Sequence, residues 1–200
     1  AIINTLQGFE MGITATGYVR KGEEITPNVQ DGDILIGLGS NGVHSNGLSF
    51  YREELFDRQH MRVDSPLPWG VTVGEELTRP TYVYMPALKE LVKQLRRNIH
   101  GMVHITGGGL SKLHELMLSQ RNMDINITRS HALEPQNIFS YAYDLGAPSE
   151  KMYSRFNNGV GYAIAIPRSK VEDALLVLRE HFPAEVIGDV TRGKGRVLIE

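Results

Sequence analysis

Asp33-Ile34-Leu35-Ile36-Gly37-Leu38 runs into Gly39-Ser40-Asn41-Gly42-Val43-His44-Ser45-Asn46-Gly47, and this junction decides how the chain is read. The first six residues are an apolar run of the length of a buried strand, and Leu48, Tyr51, Leu55 and Phe56 then recur at the spacing of one helical face. Between them, glycines let the backbone turn through positive φ and bring bare N–H groups close to a ligand, while Ser40, Asn41, His44, Ser45 and Asn46 supply side-chain hydrogen bonds. Strand, glycine loop and helix N-terminus together aim amide donors and the positive end of a helix dipole at one point, where a phosphate or carboxylate fits. The same shape also serves as a plain tight connection, and the spacing matches neither the Walker A nor the dinucleotide pattern. His44 is open in the same way, as a hydrogen-bonded structural residue or as an acid or base.

The arrangement recurs. Met102, Val103 and Ile105 read as a short buried strand, Thr106-Gly107-Gly108-Gly109 as its loop, and Leu110, Leu113, Leu116 and Met117 as an amphipathic helix. Two such loops at one edge of a sheet form a single anion-binding crevice outside the strand ends. His100 and His104 lie four apart in a strand and not on a helix, so a zinc site is disfavoured; His104 stands nearest the second loop. Asn157-Asn158-Gly159-Val160-Gly161 suits either a tight turn or a third polar wall of the crevice. Asp31, Asp33, Glu53 and Glu54 are scattered over turns and a helix surface, with no tight acidic cluster for a metal.

Around these motifs, residues 9–20 alternate as a strand, and residues 58–80, with Pro66, Pro68, Gly70 and Pro80, read as a surface excursion or lid in which Trp69 is a packing anchor. Leu88, Leu91, Val92 and Leu95 mark a helix ending near Asn98; Met123, Ile125 and Ile127 mark a strand; Ile138, Tyr141, Ala142 and Leu145 mark a helix stopped by Gly146 and Pro148. A strand over residues 160–166, a helix over 171–178 and strands over 186–190 and 196–199 complete an α/β pattern. The 200 residues, 41% hydrophobic and 22% charged, suffice for one well-buried domain. A formal charge of -2 gives no basic excess for nucleic acid, the absence of cysteine removes disulfides and thiolate sites, and no apolar run spans a bilayer. These features predict an intracellular soluble chain, and Ala1 in place of Met predicts a piece of something longer.

Read together, Gly32 to Leu38, Ser40 to Gly47, Pro80-Thr81, His104-Ile105-Thr106-Gly107-Gly108-Gly109, Met152-Tyr153 with Phe156 to Gly161, Ile187-Gly188 and Arg196 to Glu200 resemble the carboxy-terminal domain of the aminoimidazole ribonucleotide synthetases, the phosphoribosylformylglycinamidine cyclo-ligases of purine biosynthesis. The matching motifs run from about Gly8 to the last residue. Two departures stand out: the position after Pro80-Thr81, usually basic in the family, is Tyr82, and the lead-in before Gly8 differs.

The resemblance implies one domain over residues 1–200, an α/β (α+β layered) three-layer sandwich in which helices cover a mixed sheet of partial ferredoxin-like topology. It implies half of a two-domain cytoplasmic enzyme in which ATP activates an amide oxygen of formylglycinamidine ribonucleotide, a ring nitrogen attacks and phosphate leaves. ATP and Mg2+ are expected mainly through an amino-terminal domain that this sequence lacks, the full-length protein as a homodimer, and the isolated chain as inactive. His44 and His104 are the expected catalytic residues. Ser40, Gly42, Ser45, Asn46, Gly47, Thr106, Gly107, Gly108, Gly109 and Asn157 are the expected substrate and phosphate contacts, with no metal ligand, nucleic acid or membrane partner. The alternatives are a non-catalytic phosphate- or nucleotide-binding module and a relative that phosphorylates selenide, thiamine monophosphate, a carbamoyl group or formylglycinamide ribonucleotide.

Overall fold

The computed structural model describes residues 12–199. Its strands are β1 (Asp33–Gly39), β2 (Gly101–His104), β3 (Met123–Ile127), β4 (Val160–Pro167), β5 (Ala184–Arg192) and β6 (Val197–Ile199). They form one sheet in the order β2-β4-β1-β5-β3-β6, antiparallel throughout except for the parallel β3–β6 pair. Every residue of β1 is buried, because strands flank both its edges and helices cover both its faces. This explains why β1 reads as a continuous apolar run and not as an alternating one.

Period-2 geometry divides the β1 side chains between two cores. Leu35 joins Ile125, Ile127, Ala163 and Ile187 under the 3₁₀ helix Gly109–Met117, whose Leu110, Leu113 and Leu116 recur every three residues, the repeat of that helix. Ile34, Ile36 and Leu38 face α3 (Met85–Leu95) and α6 (Val171–Arg179) through Leu88, Leu91, Leu175 and Leu178. The result is the layered α/β arrangement of helices on a mixed sheet.

A third cluster lies off the sheet. Val43, Tyr51, Leu55, Leu67, Val73, Phe139, Met152 and Phe156 pack together from α1 (Leu48–Tyr51) with its π-helical continuation Arg52–Arg58, α2 (Val73–Leu77), α4 (Asn137–Asp144) and α5 (Ser149–Arg155). Residues 58–80 are therefore not the surface excursion expected: Leu67 and Val73 are core residues, and α2 opens on a Thr72–Glu75 capping box. Trp69 does anchor packing, edge-on to Tyr141 with Nε1 donating to the buried Glu76 carboxylate at 3.0 Å. α5 follows directly on the Gly146 and Pro148 stop, and nothing in the apolar spacing announced it.

The strand expected over residues 9–20 is not found among the described residues. Phe9 and Met11 lie outside them, and Ile13, Tyr18 and Val19 are exposed on chain that pairs with no strand. Alternation shows which side chains share a face; it does not supply the neighbouring strand that would cover them. Among the described residues, no helix is long and apolar enough to cross a membrane.

Candidate functional site

Both glycine loops leave the sheet on the same side, and residues 156–161 run beneath them. A methyl group at Gly47 would strike the Phe156 ring, one at Gly109 the Phe156 and Tyr153 backbone, and one at Gly161 the Tyr84 hydroxyl and the His44 ring. Glycine at these positions lets three chain segments come closer than any side chain would allow.

The first loop is stitched to distant segments. Ser40 N donates to Gly159 O at 2.8 Å, and Ser40 Oγ donates to Asn157 Oδ1 at 2.8 Å. Asn157 Nδ2 donates to Gly42 O at 2.9 Å, and Asn46 Nδ2 donates across to Ile105 O at 3.2 Å. Asn157 is fully buried, with both ends of its amide committed to the loop, so the structure places it as the loop's internal brace. Asn46 is buried too, with its Oδ1 left without a partner, and Ser45 is exposed at the loop surface. The backbone N–H groups of Gly42, Val43, His44 and Ser45 have no acceptor among the described residues. Gly42 at φ 149° and His44 at φ 53° put positive-φ residues among these donors, the kind of backbone concavity that binds anions. In the second loop Thr106 is half-buried and Gly107 exposed; Gly107 N and Gly108 N likewise lack acceptors.

The two histidines come together. His44 and His104 ring centroids lie 6.5 Å apart, with Tyr84 edge-on to both and Tyr162 stacked on His104 at 5.7 Å. Asn41 Nδ2 donates to Pro80 O at 2.7 Å, which turns its Oδ1 toward His44 Nε2 at 2.8 Å. An amide oxygen only accepts, so Nε2 carries the proton, this 2.8 Å contact outweighing the longer 3.4 Å approach of Asn41 N–H to the same nitrogen, and His44 Nδ1 holds the lone pair. That Nδ1 is buried without a partner, as is His104 Nε2. Burial, reinforced by His104, lowers the His44 pKa to about 4; burial and then the Lys112 charge lower that of His104. Both imidazoles are thus neutral at pH 7, each with a desolvated ring nitrogen free. His100, by contrast, is taken up structurally, its Nδ1 2.8 Å from the buried Asp33 carboxylate.

Three features stand outside the expected site residues. Tyr84 donates to Gly39 O at 2.7 Å and walls the histidines, though only its contacts give it that role. Arg79 lies against Gly42, its guanidinium 2.7 Å from the Glu76 carboxylate. Arg155, at the end of α5, faces the place where Gly47 and Gly108 meet. Among the described residues, no three His, Cys, Asp or Glu side chains converge to hold a metal ion.

The family model for the C-terminal domain of AIR synthase related proteins matches residues 30–200. The phosphoribosylformylglycinamidine cyclo-ligase of Methanopyrus kandleri is 35% identical over 194 residues, covering 96% of this chain and 53% of that protein. Its namesake in Methanothermobacter thermautotrophicus is 34% identical over 197 residues, covering 98% and 56%. The chain thus spans about half the length of the curated relatives it matches. Among solved structures, the E. coli hydrogenase maturation protein HypE superposes with a TM-score of 0.58 at 22% identity, covering 86% of this chain and 47% of that one. Thiamine-monophosphate kinase from Stenotrophomonas maltophilia K279a gives 0.55 at 16% identity, covering 91% and 54%. At these identities the likeness is one of fold.

Proposed function

The chain belongs to the AIR synthase related proteins, of which it carries the C-terminal domain, and from that premise we propose that it is the substrate- and phosphate-binding half of an ATP-dependent cyclo-ligase. The substrate is formylglycinamidine ribonucleotide, the product aminoimidazole ribonucleotide. Residues 1–200 act as one domain of a longer cytoplasmic protein that pairs as a homodimer, and the isolated chain does not turn over.

One observation carries this reading: two neutral imidazoles 6.5 Å apart each keep a buried ring nitrogen unpartnered, beside backbone amides that also lack acceptors. A buried polar atom left unsatisfied costs about 1–3 kcal/mol, so such a cluster marks a place where a ligand completes the hydrogen bonds. His44 Nδ1 accepts an N–H of the substrate and is the better placed of the two to take its proton, because Asn41 fixes the tautomer. His104 stabilises charge on the reacting amide from the opposite wall. Gly42, Ser45, Gly47, Thr106, Gly107, Gly108 and Gly109 offer the remaining neutral donors; Ser40, Asn46 and Asn157 hold them in place.

ATP with Mg2+ would supply activation of the amide oxygen. Among the described residues no three His, Cys, Asp or Glu side chains converge, and the donors of this crevice are neutral amides, hydroxyls and imidazoles, which suit an anion and not a divalent cation. We therefore assign that group to the amino-terminal half and no step to it here. The test is a titration of this chain with formylglycinamidine ribonucleotide, followed by the amide signals of residues 42–47 and 107–109. They should shift together and saturate; signals that stay in place at millimolar ligand would remove the substrate-binding reading.

A further inference from the structure

The two glycine loops meet not only at the histidines but also, a few residues further along each, at a surface pocket of about 380 Å³. Gly47 and Ser49 line it from the first loop and the helix after it, Gly108 from the second, and Ser154 with Arg155 from the end of α5. Gly47 at φ 69° and Gly108 at φ 99° present backbone to the hollow and no side chain. The N–H groups of Gly47 and Gly108 have no acceptor among the described residues, and neither has the exposed Ser49 hydroxyl a partner there. The pocket's one carboxylate, Glu53, is paired with Arg58 at 2.7 Å, whereas Arg155 forms no ion pair among the described residues.

We propose that this pocket is the seat of the phosphomonoester of a phosphorylated sugar, with Arg155 as its cationic contact, so that phosphate and reacting amide occupy opposite ends of the crevice. The inference rests on the substrate-binding reading above and divides that site in two. A guanidinium, a free hydroxyl and two glycine amides lining one hollow are a donor set a phosphate dianion takes, since charge-assisted bonds to its oxygens are about twice as strong as neutral ones. His44 precedes Gly47 by three residues and His104 precedes Gly108 by four. The imidazoles therefore lie at most about 10–14 Å along the chain from the anion end. Arg155 also sits where a cation favours the C-terminus of α5, and the test separates the two roles.

Inorganic phosphate and ribose 5-phosphate are titrated into the wild-type chain, Arg155→Gln, Arg155→Lys and Ser49→Asp, with thermal melts of each. Ser49→Asp places a negative charge in the pocket at an exposed position of the first helical turn, where an acid does not disfavour folding. The expected result is that wild-type Gly47 and Gly108 amides move and ribose 5-phosphate binds more tightly than phosphate. Arg155→Gln should weaken binding on the order of tenfold, the loss of one charge-assisted contact, with Arg155→Lys in between. Ser49→Asp should abolish binding with an unchanged melt. If wild type binds and both Arg155→Gln and Ser49→Asp bind within about twofold of it, the pocket assignment is overturned while the substrate-binding reading stands. The pocket assignment falls equally if the amides of residues 42–45 shift and those of Gly47 and Gly108 do not. Amides unmoved in both loops overturn the two readings together.

Discussion

Side chains arriving from Tyr84, Gln136 and Asn157 tie down the loop over residues 40–47 at Gly39, Ser40 and Gly42, whereas the loop over 106–109 is held mainly by its own short turns. There Gly109 N donates to Thr106 O and Ser111 Oγ to Gly108 O, and nothing lies within 4 Å of where a Cβ on Gly107 would be. Two stretches with the same grammar of glycines after a strand thus differ in what fixes them. The first owes its shape to long-range contacts that also aim His44. The second adds to its own turns one close approach, Gly109 on the backbone of Tyr153 and Phe156, and leaves its tip open.

The strongest way to break this comparison is to remove the group the first loop aims. With the chain joined to its amino-terminal half, His44→Ala should lower turnover by about 10²–10⁴-fold, the range of a positioned acid or base. A rate within a few-fold of wild type would leave His44 as packing only. The isolated wild-type chain should show no ring closure above a mock-purified control.

Next in size are the braces. Gly109→Ala forces a methyl group into backbone at a positive φ of 54° and should cost about 2–4 kcal/mol in denaturant unfolding. Asn157→Ala strips the buried bridge between Ser40 and Gly42 and should cost about 1–3 kcal/mol. A neutral Gly109→Ala would mean that the second loop is not pinned where the structure shows it.

Acid should act through the histidines with a defined sign. The folded state holds the His44 pKa near 4 against an ordinary value of 6.5, so the unfolded chain binds the extra proton between those values. The stability linked to this group is fully present above about pH 6.5 and is lost as pH falls toward 4. At most about 3 kcal/mol is involved, from 1.36 kcal/mol for each unit of pKa. His104 shifts in the same direction. Unfolding curves of wild type and His44→Gln between pH 7 and 4.5 should therefore converge; parallel curves would show that His44 titrates normally. The smallest expected effect is Gly107→Ala, within about 0.5 kcal/mol of wild type because its surroundings are open.

Much of this was legible in the residue order. The all-apolar β1, the alternation of residues 160–166, the helix faces of Leu88, Leu91, Leu175 and Leu178, and the two glycine loops are local patterns. Burial on one face or both writes such patterns directly into the spacing. The strand expected at 9–20 shows the limit of that signal, since alternation on exposed residues looks the same as alternation against a core. The buried lobe around Tyr51, Leu67 and Phe156 was missed because its members come from short, Pro- and Gly-broken segments, each too brief to show a period.

By itself, then, the sequence determined the strands from β1 onward, the long helix faces that cover them, and the positions where only glycine permits the turn. The tertiary structure alone decided which histidine nitrogen is free. That depends on Asn41 being held by Pro80, 39 residues away. It decided that Asn157 braces the first loop from 115 residues away, and that Arg155 looks into the space between two loops to which it is not adjacent in sequence. Periodicity records which face of an element is covered. What covers it, and with which atom, is fixed only when distant segments pack, because hydrogen-bond partners and desolvation depend on three-dimensional distance and not on order along the chain.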